Sequence, residues 1–128
     1  MDEAYIGSCT NGSLEDLKAA ADILRGKKVA NHVRVIVVPA TNTVFKEAIE
    51  KGYIKDFIEA GCVISHPCCG LCCGMPYGLM YDDERILLTA NRNFIGRQGT
   101  KKTLGYLSSP AVAAATALTG VVTDPRTL

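Results

Sequence analysis

Apolar segments of two kinds alternate along the chain, separated by short polar loops. Short, mostly apolar runs predict strands, and longer segments with apolar side chains three and four positions apart predict helices. Ser13, with Asp16 three residues later, has the spacing of a helix-capping box, and Ser109 followed by Pro110 marks the start of the last helix. The predicted strands are residues 4–6, 33–38, 62–65, 85–89 and 103–107 (the last at a sheet edge), the predicted helices are residues 14–25, 43–51, 54–60 and 110–118, a turn or short helix is expected over 75–80, and the tail from 124 is expected to be loose.

The run at residues 33–38 is almost continuously apolar, which is typical of a strand buried on both faces of a parallel sheet. Because strands and helices alternate, the pattern predicts the α/β class, with a mostly parallel sheet in a single domain over residues 1–128. In such sheets, ligands collect beyond the carboxyl ends of the strands. The loops 8–12, 68–73 and 91–97 each follow a predicted strand, so we expect them to meet at one edge of the sheet.

The bulk composition argues against several classes of function. At 128 residues the chain fits one domain, and its hydrophobic fraction of 48% and charged fraction of 21% are ordinary for a globular protein. A net charge of +1 gives no reason to expect a nucleic acid partner. No apolar run approaches the ~18 residues that a membrane span needs, and no basic and apolar leader opens the chain. The expected location is therefore the cytoplasm.

The distinctive chemistry of the chain lies in its cysteines. Four of the six fall within residues 66–74, where Cys69 and Cys72 have the C-x-x-C spacing, and Cys9 lies in the loop after the first predicted strand. An electron-transfer cluster usually takes four cysteines. Three thiolates leave one position open, which suits a cluster whose unligated iron binds substrate as a Lewis acid. We therefore interpret Cys9, Cys69 and Cys72 as ligands of one iron–sulfur cluster.

Other interpretations of the cysteines stay open at this point. A disulfide framework suits small secreted domains with thin cores rather than a chain rich in aliphatic residues. A structural zinc site needs four ligands, and His66 is the one histidine nearby; it could also donate a proton, or simply end a strand before Pro67. A redox dithiol at a helix start is a further alternative. Cys62 fits a buried apolar position, and Cys68 and Cys73 fit packing or supporting positions beside the ligands.

The loop 91–99 carries two arginines, Arg92 and Arg97. A guanidinium presents a rigid fork of donors that matches a carboxylate in two-point contact. An anionic substrate beside a metal cluster would need such neutralisation, so we expect both arginines to bind substrate carboxylate. Asn11 and Asn91 could donate hydrogen bonds to cluster sulfurs or to substrate, although both also fit turn positions.

Three segments carry a resemblance to a known family. The sequences Ile-Gly-Ser-Cys-Thr-Asn-Gly at residues 6–12, Cys-Gly-Leu-Cys at 69–72 and Asn-Arg-Asn-Phe-Ile-Gly-Arg at 91–97 resemble the aconitase superfamily. The match runs nearly end to end, through Ser-Pro-Ala at 109–111 and the alanine-rich helix that follows. Within the superfamily, the chain is most similar to the isopropylmalate dehydratase and homoaconitase branch of large subunits.

This resemblance implies a fold, a cofactor and an activity. The chain would be the third domain of the family's catalytic subunit, a three-layer α/β/α unit. Family members carry a [4Fe-4S] cluster on three cysteines, matched here by Cys9, Cys69 and Cys72. They remove and re-add water on a hydroxy-acid bound at the fourth iron, so the implied activity is that of a hydro-lyase.

The same match assigns the remaining site residues. Arg92 and Arg97 would hold substrate carboxylate, and Asn91 would support the cluster. The choice of Cys69 and Cys72 as the ligand pair follows from the family pattern, which makes Cys68 and Cys73 additional cysteines.

The family's catalytic subunits are much longer than this chain. Their histidines and acidic residues precede the matching region, and the base serine lies in a separate swivelling domain or small subunit. The expected partners are therefore the remaining domains of the large subunit, a small swivelling subunit and a carboxylate-bearing hydroxy-acid. We expect the chain to be a partial catalytic subunit, inactive alone, and to lose its cluster readily in oxygen. A homoaconitase, aconitase or dimethylmalate dehydratase fragment, a non-catalytic metal-binding module and a zinc-binding domain remain alternatives.

Overall fold

The computed structural model describes residues 1–73 and 78–128, with the side chains of residues 72 and 73 outside the description. The described part contains one parallel sheet with α-helices and two short 3-10 helices. The strands are β1 (Glu3–Gly7), β2 (Arg34–Val38), β3 (Val63–Ile64), β4 (Arg85–Leu88) and β5 (Leu104–Leu107). The α-helices are α1 (Leu14–Leu24), α2 (Asn42–Glu50), α3 (Tyr53–Ala60) and α4 (Pro110–Thr119), and the 3-10 helices are Gly70–Cys73 and Pro125–Thr127.

All strand pairs of the sheet are parallel, in the order β3-β2-β1-β4-β5. The central strand β1 pairs with β2, so that Gly7 lies opposite Val38, and with β4, so that Tyr5 lies opposite Leu88. The carboxyl ends of β1, β2 and β4 therefore lie side by side. The expected α/β class with a parallel sheet is confirmed, as is the edge position of β5.

The two faces of the sheet are covered differently. All four α-helices contribute to one core with Ile6, Val37 and Leu87. The opposite face presents Tyr5, Ile36 and other side chains to a smaller core, which is completed by residues of the 3-10 helix and of the segment before β4. Three layers result, as expected, and in the described part the third layer consists of a 3-10 helix and loops. The members of this smaller core are Tyr5, Ile36, Val38, Leu71, Met80, Ile86, Leu88 and Ala90.

Local sequence signals fix most helix ends. The Ser13 side chain accepts from the Asp16 amide and Asp16 reaches back to the Ser13 amide, so the expected capping box is present. The last helix begins after Ser109, whose side chain accepts from the Val112 amide, and ends at Gly120 in the left-handed region.

Two expectations need correction. The predicted strand 62–65 is only two residues long, because the Cys62 amide donates to the Phe57 carbonyl oxygen at 3.0 Å and closes the end of α3 instead of joining the sheet. The tail is not loose throughout, since Asp124 caps the 3-10 helix Pro125–Thr127. The turn or helix expected over 75–80 lies largely outside the described residues. None of the helices described is long and apolar enough to span a bilayer.

Candidate functional site

The loop after β1 is held tightly against the end of β2. Ser8 donates its amide to the Val38 carbonyl oxygen at 3.1 Å, and Ala40 donates to Gly12 at 3.0 Å. Gly7 has φ +121°, and a Cβ atom there would lie 1.9 Å from the Val38 carbonyl oxygen. The approach of the two backbones therefore requires glycine. Ser8, with φ 105°, also takes a conformation that side chains rarely adopt, which fits a loop fixed from both sides.

The same loop is joined to the end of β4. The Thr89 hydroxyl accepts from the Gly7 amide at 2.8 Å and donates to the Gly7 carbonyl oxygen at 3.1 Å. Asn11 donates from its side-chain amide to the Thr89 carbonyl oxygen and, at 3.0 Å, to the side-chain oxygen of Asn91. Two residues that the sequence assigns to one site, Asn11 and Asn91, are thus in direct contact although 80 positions separate them.

The cysteine segment is anchored on the same strands. Tyr5, fully buried in β1, donates its hydroxyl to the Cys69 carbonyl oxygen at 3.1 Å. Gly70 has φ +53°, and a Cβ atom there would lie 3.0 Å from the Tyr5 hydroxyl and 3.5 Å from a Val38 methyl group. Leu71 is fully buried in the smaller core. Because Val38 contacts both segments, the loop of Cys9 and the segment of Cys69 converge on the end of β2.

The described cysteines differ sharply in their surroundings. Cys9 and Cys69 are exposed, and Cys68 is half-buried against the smaller core. Cys62 is buried in the larger core, and burial raises the pKa of its thiol to about 12, which keeps it a neutral packing group. No disulfide links these four cysteines. The Cys72 side chain lies outside the described part of the structure, and no three described His, Cys, Asp or Glu side chains form a metal-binding group.

Hydrogen bonds hold the arginine loop, residues 91–99, in one conformation. Gln98 is 2% exposed, and its side-chain amide donates to the Arg92 carbonyl oxygen at 3.3 Å, which ties the two ends of the loop together. Asn93 donates to the Gly105 carbonyl oxygen of β5 at 2.6 Å. The Arg97 guanidinium carbon lies 5.2 Å from the centre of the Phe94 ring, at a distance typical of a cation–π contact.

A wide cleft of about 1140 Å³ opens beside this loop. Asn91, Arg92 and Arg97 line one part of it, and Met80 and Phe94 add apolar surface. No acidic side chain of the described residues pairs with Arg92. Asp82 also lines the cleft, but its carboxylate is paired with Lys102 at 3.8 Å. The two arginines and the apolar walls together suit a small organic anion.

Three supporting residues were not identified from the sequence: Tyr5, Thr89 and Gln98. Each is buried and polar, and each hydrogen-bonds a loop of the site. Thr89 follows a predicted strand and Gln98 lies in a glycine-bearing loop, and these positions were their only signals. Tyr5, in the middle of the first strand, gave no signal of its role. His66, a candidate proton donor, is exposed and stacks on Phe45 with ring centroids 5.6 Å apart.

The parallel sheet, the loops that meet at its carboxyl edge and the cleft lined by Arg92 and Arg97 define an α/β domain with its candidate site beyond the strand ends. A family model described as "Aconitase family (aconitate hydratase)" matches residues 1–120. The chain belongs to the aconitase family.

Individual members of the family that are similar in sequence to this chain are named as large subunits of one dehydratase. The chain is 52% identical over 126 residues to "3-isopropylmalate dehydratase large subunit 1" of Archaeoglobus fulgidus, covering 98% of this chain and 30% of that protein. It is 52% identical over 128 residues to the large subunit of Nitratiruptor sp. and 54% identical over 126 residues to that of Clostridium botulinum, again covering 30% of each. The chain therefore spans about a third of the length of these relatives.

Proposed function

We propose that the chain is the [4Fe-4S]-binding domain of a hydro-lyase that dehydrates and rehydrates a 2-hydroxy di- or tricarboxylic acid. The relatives at about 50% identity are named 3-isopropylmalate dehydratase large subunits, which makes that enzyme of leucine biosynthesis the first candidate. The observation that carries the proposal is the hydrogen bond from Asn11 to Asn91, because it joins the loop of Cys9 to the loop of the arginines.

The donor set fits the cluster. Cys9 and Cys69 are exposed at one edge of the sheet and can reach a group outside the core, whereas Cys62 is enclosed. Cys9, Cys69 and Cys72 would hold the cluster, which when bound supplies a Lewis-acidic iron to the hydroxyl group of the substrate. Cys68, half-buried against the core, is better placed for packing than for ligation.

The other residues of the site bind and orient. The guanidinium groups of Arg92 and Arg97 would pair with substrate carboxylates in the cleft, and the ring of Phe94 restricts the positions open to Arg97. The hydrogen bond from Asn11 to Asn91 would hold the loop of Cys9 at a fixed distance from the loop of the arginines. Such preorganisation is what a hydration reaction needs, because both reacting groups must be held in register.

The rest of the machinery would come from other polypeptide segments. The relatives are named large subunits and are about three times as long as the match. We infer that the remaining large-subunit domains and a small subunit complete the active site. The expected location of the assembled enzyme is the cytoplasm. The chain by itself is then expected to bind the cluster but to catalyse no steady turnover of a hydroxy-acid.

Anaerobic reconstitution with iron and sulfide tests the assignment. We expect charge-transfer absorption and a spin-resonance signal after partial oxidation, with bound iron in the wild-type chain. Cys9→Ser, Cys69→Ser and Cys72→Ser should each lose most of the iron. Cys62→Ser and Cys68→Ser are the matched controls, since each removes one thiol of the same chemistry, and both should retain it.

Several results would contradict the proposal. Zinc that is retained in preference to iron would point to a structural zinc domain. Equal loss of iron in Cys68→Ser and Cys69→Ser would mean that the ligand set is assigned wrongly. If the remaining large-subunit domains and the small subunit are added and no hydration activity appears, the chain would instead be a non-catalytic iron–sulfur module.

A further inference from the structure

An apolar groove lies on the side of the domain away from the cysteines, between β5 and α4. It has a volume of about 570 Å³. Tyr106 and Leu104 of β5 and Val112 of α4 and Val122 line it, and Arg85 at the start of β4 carries the one charged side chain among its described lining residues. Val112 and Val122 also border a second depression of about 460 Å³, so the apolar surface continues past the end of α4. We call this surface the β5–α4 groove.

The groove is exposed along a sheet edge. Leu104 and Ser108 donate their amides to the carbonyl oxygens of Glu84 and Leu88, so the alternate amides, those of Gly105 and Leu107, face away from β4. On this outer edge the Gly105 carbonyl oxygen accepts from Asn93 at 2.6 Å, and the two amides remain available to a further segment. An edge strand with apolar side chains and outward amides normally pairs or is covered. The relevant side chains are large and open: Val122 is 61% exposed and Leu104 is 46% exposed. Contiguous apolar surface of this kind marks an interface.

The family comparison indicates what covers it. Relatives matched over 98–100% of this chain contain more than twice as much further polypeptide, because the match covers 30% of each. A covering segment in the same polypeptide acts at an effective concentration in the millimolar range, which a second copy of this chain would not reach. With a net charge of +1 for the chain and a single arginine, Arg85, in a groove otherwise lined by uncharged side chains, there is no reason to expect a polyanionic partner here.

We propose that the β5–α4 groove is the docking surface for the remaining part of the large-subunit polypeptide. The apolar side chains of that part fill the groove and cover the outer edge of β5. The inference rests on the proposed function, since it takes the chain to be part of a large subunit. Its test needs no cluster, so failure to bind iron and failure to dock are separate outcomes.

The test compares one substitution in two contexts. The first is this chain alone. The second is a chimera in which this chain replaces the matching segment of the Archaeoglobus fulgidus large subunit 1. Val122→Glu should leave the melting temperature of the isolated chain nearly unchanged, because Val122 is exposed there. In the chimera it should lower the melting temperature by about 5 °C or more, since it buries an unpaired charge. Ile58→Glu on α3 is the matched control, because Ile58 is also 61% exposed.

A second measurement guards against a chimera that does not fold. The unmatched part of the same relative is expressed as a separate chain, and its binding to this chain is followed by sedimentation. Val122→Glu and Leu104→Glu should each weaken binding at least tenfold, and Ile58→Glu should not. Equal effects of Val122→Glu and Ile58→Glu in either assay would overturn the assignment. So would unchanged binding in both groove variants, or a groove filled by a second copy or by the small subunit instead.

Discussion

Glu3, at the start of β1, is fully buried. We expect Glu3→Gln to remove the contribution of this carboxyl group to the pH dependence of the free energy of unfolding. One carboxyl oxygen accepts from the Arg34 guanidinium at 3.1 Å. The other has no hydrogen-bond partner among the described residues and faces Gly78, where a Cβ atom would lie 2.7 Å away. Arg34 is shared, because it also binds both oxygens of Glu84 at 2.9 and 3.0 Å.

Burial dominates this arrangement. It raises the pKa of Glu3 from 4.5 to about 7, in spite of the hydrogen bond from Arg34. The folded state therefore binds the proton more tightly than the unfolded state does. The stabilisation is complete below about pH 4.5, declines as the pH rises, and is lost above about pH 7. A pKa difference of this size corresponds to about 3 kcal/mol in the free energy of unfolding.

Urea unfolding, followed by circular dichroism under anaerobic reducing conditions, measures this effect. The neutral amide of Glu3→Gln does not titrate, so the stability of the wild type relative to this variant should fall by about 2.5 kcal/mol between about pH 5 and about pH 8. Glu84→Gln is the matched control on the same arginine. Arg34 lowers the pKa of Glu84, so Glu84→Gln should be less stable than the wild type at neutral pH. This difference in stability should shrink as the pH falls through the titration of Glu84.

A difference in stability between wild type and Glu3→Gln that stays constant to within about 0.5 kcal/mol over this range would contradict this expectation. The Glu3 carboxyl would then be ionised in the folded protein like an exposed one. A difference that grows with pH in the opposite direction would mean that the ion pair with Arg34 outweighs the cost of burial.

Three further predictions concern the site itself. Gly7→Ala should lower the free energy of unfolding in urea by at least about 4 kcal/mol or prevent folding, because its Cβ would meet a carbonyl oxygen of β2. The control Gly26→Ala, at φ +73° with nothing within 4 Å, should lower it by about 1 kcal/mol. Thr89→Val should lower stability by about 1–3 kcal/mol by leaving a buried amide unpaired, and Thr89→Ser should retain most of it; a full effect in the serine variant would implicate the methyl group instead. If the proposed hydro-lyase is reassembled with the other segments, Phe94→Leu should raise KM several-fold at an unchanged melting temperature, since Phe94 is 62% exposed and contacts Arg97. An unchanged KM would show that the ring does not position the guanidinium.

The elements of the fold were predictable where the sequence carries a local signal. Ser13 with Asp16, and Ser109 with Gly120, set the ends of α1 and α4 at the expected positions. The apolar pattern could not show that the Cys62 amide bonds to the end of α3 instead of extending β3. An apolar residue at position 62 fits both the end of a helix and the start of a strand. The 3-10 helix after β3 has no periodic pattern at all, and it is defined by the burial of Leu71 and by contacts with β1.

The Glu3–Arg34–Glu84 network was invisible in the sequence for a related reason. A glutamate at the start of a strand normally reads as an exposed residue. Its burial depends on the strands that flank β1 and on the segment containing Gly78, which approaches from far along the chain. Such a charge arrangement is a tertiary property, and only the assembled sheet specifies it.

The candidate site depends on one topological step that no single segment encodes. After β3 the chain crosses back over the sheet and adds β4 beside β1 rather than beside β3. Neighbouring strands lie about 4.8 Å apart, so a sheet in sequence order would separate the ends of β1 and β4 by roughly 14 Å. Asn11 and Asn91 could not then meet, yet they lie 3.0 Å apart here. The loop of Cys9 and the loop of Arg92 share one edge because of strand order, and the hydrogen bonds from Gly7 to Thr89 and from Asn11 to the Thr89 carbonyl oxygen join the two strand ends there.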